Sequence, residues 1–263
     1  MGCGAIGSRI AQGIVDDLAA ICRLTALHDV DRARALSLEH SLHKEQLVCG
    51  TPDELLARCD LMVEAVSSPN TRDLIRAALI ARRDVLVMSV GQMLNAPELF
   101  HLASQNQCAL LIPSGAVAGI DAVKSACLAP MHHITLTTRK PLSGFTNNTY
   151  IQEQGIDLAS IQGERVLFEG GVDDAVRFFP QNINVAATLA LASQARDRLT
   201  IRIITSPDYQ VNSHEIEAVG DFGRMVSRTE NVTCPDNPKT SYLAVLSGIQ
   251  TLKEFCSGIQ IGT

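Results

Sequence analysis

Near the N-terminus, Gly2-Cys3-Gly4-Ala5-Ile6-Gly7 spaces its glycines as G-x-G-x-x-G. The first glycine of such a run permits a tight turn. The second lets a pyrophosphate approach the backbone, and the third lets a following helix pack close to a strand. The phosphate then rests on free N–H groups at the helix start, which Ala5 and Ile6 would supply. Asp29 ends an apolar stretch about 22 residues beyond Gly7, close to the spacing of a ribose-binding acid. Its carboxylate repels a 2′-phosphate, so NAD is expected ahead of NADP, with Arg32 and Arg34 close enough in sequence to soften the preference. The competing reading is a glycine-rich turn beside a solvent-facing acid.

Other groups with chemical potential lie further along. Ser67, in Ala65-Val66-Ser67-Ser68-Pro69, and Ser89, in Met88-Ser89-Val90-Gly91, follow apolar runs, where ligands of parallel sheets bind. Either serine could contact a cofactor or simply cap a helix. Pro113 through Gly119 is a run of small residues that lets a flat ring reach the backbone, or serves as a hinge. Asn184 could cap a helix or reach a carboxamide. His214 sits in Asn212-Ser213-His214-Glu215-Ile216, just after a turn, and an imidazole there is suited to proton transfer. Lys239, Thr240 and Ser241 read as the opening of a helix, hence as an anion site or as plain caps. Arg139 and Lys140 end a strand, as ligands for carboxylates or as a solvated end.

These groups need elements to hold them. Helices are expected at about 7–18, 31–36, 51–58, 69–81, 96–106 and 119–128. Between them, Leu24–His28, Leu61–Val66, Asp84–Met88 and Ala109–Pro113 are short apolar runs with strand character. That alternation predicts a Rossmann-type α/β unit, with a parallel sheet buried on both faces. After about Ala129 the texture changes. Strands are expected near 134–138, 164–169, 199–205, 214–219 and 222–226, interrupted by one helix at 185–194, with a final helix at 241–255. This reads as an α+β domain with an open mixed or antiparallel sheet. The stretch 141–160, rich in Asn, Gly and Gln, reads as a long loop or insertion. The expected domains are 1–117 for the dinucleotide and 118–236 for the substrate, with 237–263 packing back on the first. Only Met1 precedes Gly2, whereas the fingerprint should follow a complete strand. A first strand cut short is therefore expected, through a downstream start or a truncation, with a β-branched run encoded upstream.

Composition removes several classes. Across 263 residues, 46% are hydrophobic, 19% are charged and the net charge is -6. That argues against a nucleic-acid binder, which normally carries a basic surplus. No apolar run approaches the roughly 20 residues of a membrane span. The start shows no basic segment followed by an apolar run, so a cytoplasmic location is expected. Eight cysteines are scattered without a C-x-x-C pair, and His132-His133 would point to opposite strand faces. Reduced thiols and no metal site are expected.

Taken together, Gly-Cys-Gly-Ala-Ile-Gly, Val87–Gly91, Thr138–Pro141, Val166–Gly170, Asn182–Leu189, Asn212–Ile216 and Asn237–Ser241 resemble the prokaryotic L-aspartate dehydrogenase family. The resemblance runs in order along nearly the whole chain. It implies oxidation of L-aspartate with NAD or NADP to iminoaspartate, which can feed NAD biosynthesis or hydrolyse to oxaloacetate and ammonia. It also implies cofactor contacts at Ala118 and Asn184 and an active-site histidine at His214. Two departures stand out. The first strand is short, and Asn231–Pro235 is less regular than the family's proline-containing turn. Two other functions stay open: a reductase of another small oxo or imino acid, and a dinucleotide-binding sensor without turnover. A homodimer paired through the second sheet is the expected assembly.

Overall fold

The computed structural model describes residues 1–66, 68–179, 183–235 and 237–262. They divide into two compact units. The first comprises Met1–Pro113 and Val245–Gln260, and the second Ser114–Ala244 with Ile261 and Gly262. The division thus falls after Pro113, four residues ahead of the expected boundary.

The first unit opens with helix α1 (Ala5–Asp16), followed by α2 (Arg32–Ser41) and α3 (Pro52–Leu56). Local chemistry starts the latter two. The Asp31 carboxylate accepts from the Ala33 N–H, and the Thr51 hydroxyl from the Glu54 N–H. Each bond satisfies a donor that helical geometry leaves open. Strand β1 (Leu61–Glu64), helix α4 (Thr71–Ile80), strand β2 (Asp84–Val87), helix α5 (Pro97–Asn106) and strand β3 (Leu110–Leu111) follow. The three strands are parallel, in the order β1-β2-β3. Val85, Leu86 and Val87 are fully buried, as the unbroken apolar run requires.

The expected strand at Leu24–His28 is reduced to a single parallel bridge, Leu27 to Val48. The side facing β1 is largely unpaired among the described residues. Met1 and Gly2 span the gap between this segment and β1: Gly2 N–H donates to His28 O and Ala65 N–H donates to Met1 O. Beyond those two residues the gap is a cavity of about 370 Å³, lined by Ile10, Ile14, Leu24, Leu61 and Met62. On the other side its ladder stops at Leu27 N–H to Leu47 O and Cys49 N–H to Leu27 O.

The second unit contains α6 (Ile120–Ala126), β4 (Met131–Pro141), α7 (Thr149–Glu153), β5 (Arg165–Gly171), α8 (Val172–Phe178), α9 (Ile183–Ser193), β6 (Leu199–Ser206), β7 (Asn212–Gly220) and β8 (Gly223–Asn231). Its five-stranded sheet is mixed, in the order β5-β6-β4-β7-β8, with only β4 and β6 parallel. Alternation sorts the side chains. Ile134, Leu136, Ile201, Ile203, Ile216 and Ala218 are buried on one face. The other carries ion pairs, Arg139–Glu215, Arg202–Glu169 and Arg224–Glu217. Two short strands, β9 (Thr233–Cys234) and β10 (Asn237–Ser241), form a separate antiparallel pair. The final helix, α10 (Tyr242–Ser257), belongs from Val245 onward to the first unit, where Val245 and Leu252 are buried.

One expectation is modified here, and one helix is additional to those expected. The stretch 141–160 is more than a loop, since it contains α7. Asn148 caps α7 by accepting from Ile151 N–H, and its amide donates to Phe178 O. Tyr150 packs against Phe178 and Phe179 in tilted ring contacts, with ring centroids 4.6 and 5.3 Å away. Contacts distant in sequence order it, and local composition does not record them. Helix α8 has no counterpart among the expected elements. It is only seven residues long, and its signal is the pair Asp173 and Asp174 in the first turn.

Candidate active site

The glycine loop folds as its spacing demands. Gly2 adopts a φ of +85°, and a side chain there would collide with Ala65 O and Val66. A Cβ on Gly7 would overlap the Gly2 carbonyl oxygen. At Gly4 a Cβ would meet nothing within 4 Å. Gly4 immediately precedes α1, and no side chain caps that helix. Two glycines therefore serve internal packing, and the third leaves open space before uncapped N–H groups. That is the cradle a pyrophosphate needs, so the residues fit a dinucleotide.

Asp29 is placed beside this loop. Its Oδ2 accepts from Cys3 N–H at 2.7 Å and its Oδ1 from Asp31 N–H at 2.9 Å. Each oxygen keeps a lone pair for a ribose hydroxyl. Ser89 does something unforeseen. Its hydroxyl lies within hydrogen-bond distance of both Val66 O and the Glu64 carboxyl group, with one proton to donate to either, and its N–H donates to Glu64. Glu64 is fully buried at the end of β1, and it also accepts from Val66 N–H. Burial pushes its carboxyl pKa up, while these hydrogen bonds pull the other way. Glu64 thus ties together the loops after β1 and β2. Ser67 lies outside the described residues.

In the second unit the polar groups gather at one end of the buried sheet face. Register places His214 between Thr138 on β4 and Thr229 on β8. The Thr138 hydroxyl and His214 Nδ1 are 3.0 Å apart, which pins the ring. Two residues further along the same face come Lys140 on β4, Asn212 on β7 and Asn231 on β8, the last two directly paired. All three line a cavity of about 1050 Å³. Burial, then the nearby Lys140 charge, push the His214 imidazole down to about 4. Burial alone pushes the Lys140 ammonium down to about 8. At neutral pH the site therefore holds a neutral imidazole beside a cation that titrates unusually easily.

Comparison with known proteins now adds to this geometry. Residues 121–255 match the family model described as aspartate dehydrogenase, C-terminal. Residues 2–113 match the NAD binding domain of homoserine dehydrogenase. The L-aspartate dehydrogenase of Methanosarcina barkeri is 44% identical over 100% of this chain and 98% of its own length. That of Methanocella arvoryzae is 38% identical at the same coverages. The chain belongs to the L-aspartate dehydrogenase family. Among solved structures, aspartate dehydrogenase from Thermotoga maritima shares the fold, with a TM-score of 0.71 at 21% identity over 99% of this chain and 97% of that one. A homoserine dehydrogenase from Thiobacillus denitrificans reaches 0.59 at 13% identity, over 96% and 71%.

For this aspartate dehydrogenase family member, the structure brings some expected residues together and separates others. His214 and Lys140 share a face. Arg139, one residue earlier, points to the opposite face, where it pairs with Glu215 at 3.3 Å. Strand alternation forbids Arg139 and Lys140 from holding one ligand together. Lys239, Thr240 and Ser241 do not open a helix; they lie in β10, ahead of α10. The Ser241 hydroxyl oxygen is buried with no hydrogen-bond partner among the described residues. Asn184 falls in the first turn of α9, and Ala118 just before α6, where its carbonyl accepts from Ser227. Glu64, Thr138, Asn212 and Asn231 were not singled out as site residues. Asn212 and Thr138 could have been found from alternation: each lies two positions from a chosen residue, His214 or Lys140, on the same face.

Proposed function

We propose that this protein oxidises L-aspartate with NAD, giving iminoaspartate, NADH and a proton. The imine then hydrolyses to oxaloacetate and ammonia, or is consumed in making the nicotinamide ring system. The bound nicotinamide supplies the hydride acceptor. This chain's residues bind, orient and move the proton. Gly4 and the α1 N–H groups hold the pyrophosphate, and Asp29 holds the ribose. Ala118 and Asn184 are retained as cofactor contacts on family resemblance.

His214 is the proton acceptor. Its Nδ1–H donates to Thr138, leaving the Nε2 lone pair to take a proton from the substrate ammonium as Cα loses hydride. An imidazole held near 4 is a weak base. That value belongs to the site without substrate. A dicarboxylate brings negative charge beside the ring and neutralises Lys140, and both effects raise the imidazole pKa. Lys140 binds a substrate carboxylate as a point charge. Arg139 is left out of the substrate set because it faces away.

The observation that carries this reading is the row Thr138–His214–Thr229, with Thr138 and His214 buried and Lys140 next along the same face, in a chain of this family. The test is NADH formation from L-aspartate and NAD, followed by absorbance. Cofactor binding with no NADH formed across a panel of amino acids would refute it and favour a sensor. A companion assay compares NAD with NADP. NAD should be preferred, and Asp29→Ser should narrow the gap. Equal efficiency with NADP in the unmutated protein removes Asp29 as the selector.

A further inference from the structure

At the carboxyl ends of β1 and β2 a side chain continues what the backbone ladder begins. Met88 N–H still donates to a backbone group, Glu64 O, at 2.9 Å. Past that bond the two chains turn into loops, and their N–H groups go to the Glu64 carboxylate. Val66 N–H donates to Oε1 at 2.8 Å and Ser89 N–H to Oε2 at 3.0 Å. Glu64 is 0% exposed, so it touches no ligand itself. The loop after β1 also abuts the glycine loop: Ala65 N–H donates to Met1 O at 3.0 Å, and Ala65 O and Val66 leave no room for a side chain at Gly2. The glycine loop has anchors of its own, Gly2 N–H on His28 O at 2.8 Å and Cys3 N–H on Asp29 at 2.7 Å. Across the unit the order is therefore Asp29, the glycine loop, the loop after β1 and the loop after β2. Asp29 suits the adenosine ribose and the glycine loop the pyrophosphate. Ligands of parallel sheets lie beyond such strand ends, which leaves the last two loops for the nicotinamide half.

We propose that Glu64 is a positioning residue for the nicotinamide half of the dinucleotide, holding the loops after β1 and β2 at one spacing before the cofactor arrives. This rests on the reading above that the cofactor is NAD. A carboxylate suits the task because both its oxygens only accept, so it receives an N–H from each loop at once. Glutamine cannot do the same. Whichever way its amide is turned, the NH2 faces one of the two N–H groups, and that loop is released. Loops set in advance spare the cofactor the cost of ordering them.

Dissociation constants for NADH and ADP, measured by calorimetry on the native and Glu64→Gln proteins, test this. ADP carries the adenosine ribose and the pyrophosphate without the nicotinamide half. Glu64→Gln should weaken NADH at least about tenfold, the scale of one lost hydrogen bond to a charged group. It should change the affinity for ADP less than about twofold, since Asp29 and the glycine loop keep their own anchors. Equal weakening of both would show a role in the fold of the whole unit, and unchanged NADH affinity would show that neither loop depends on Glu64. Either overturns the proposal. If Glu64→Gln does not fold, hydrogen exchange in the unmutated protein decides. The Val66 and Ser89 amides should be protected before any cofactor is added, and NADH should slow them further by less than about threefold. Fast exchange that only NADH suppresses would show that the cofactor sets the loops, and overturns the proposal. Failure of the unmutated protein to bind either nucleotide would instead sink the NAD reading itself, and this inference with it.

Discussion

Replacing His214 by Gln removes a titrating group from a buried position, and the effect on acid stability can be worked out. The imidazole sits at about 4 in the folded chain against an ordinary 6.5. Its folded pKa is depressed, so between those values the unfolded chain binds a proton that the folded chain refuses. Stability is thus complete above about pH 6.5 and is lost as pH falls toward 4. At pH 5 the unfolded histidine is almost fully protonated and the folded one about a tenth protonated. The linkage integral gives about 2 kcal/mol lost between pH 7 and pH 5 from this one residue. Carboxylates elsewhere add their own pH dependence, equally in both proteins, so the difference isolates His214. Urea titrations of native and His214→Gln protein at the two pH values measure it. The variant should lose about 2 kcal/mol less than the native protein. Its turnover should fall by roughly 10²–10⁴, with NAD affinity unchanged. Parallel stability losses in the two proteins would show that the ring is not buried as described. Full turnover by a folded variant would rule out the proton-transfer role.

Lys140→Met should raise the KM for L-aspartate about 10- to 100-fold while leaving NAD affinity alone. In the native enzyme kcat/KM should fall as pH rises through about 8, where the Lys140 ammonium discharges. A pH profile that keeps this limb in Lys140→Met assigns it to another group. Gly7→Ala and Gly4→Ala should separate folding from binding. The first forces a Cβ onto Gly2 O and should cost about 1–3 kcal/mol or more. The second points into open space and should leave the melting temperature unchanged while weakening NAD at least about tenfold; tight NAD binding by Gly4→Ala would refute the cradle. A fusion that places a short Val- and Ile-rich segment ahead of Met1 should fill the cavity between Leu24–Leu27 and β1 and raise the melting temperature. An unchanged value would show that the cavity does not accept a strand.

Much of this protein is legible in its sequence. Glycine spacing and the acid at position 29 have local causes: a turn that excludes side chains and a carboxylate at a strand end. Apolar runs without alternation announce strands buried on both faces, and in the second half alternation announces a sheet with one core face. Period also separates Arg139 from Lys140, although the charge pair draws the eye first. What composition could not convey depends on partners distant in the chain. Leu24–His28 has the residues of a strand, yet its long-range pairing amounts to a single bridge to Val48. The polar stretch 141–160 is ordered by Phe178 and Phe179, which lie beyond it in sequence. Lys239–Ser241 resembles a helix start, but pairing of β10 with Thr233–Cys234 holds it extended. The site itself is the clearest case. Thr138, His214 and Thr229 become one row only because strand order places β4 and β8 on either side of β7. Register then sets Asn231 beside Asn212. The burial that moves His214 to about 4 and Lys140 to about 8 belongs to that packing and to neither residue alone.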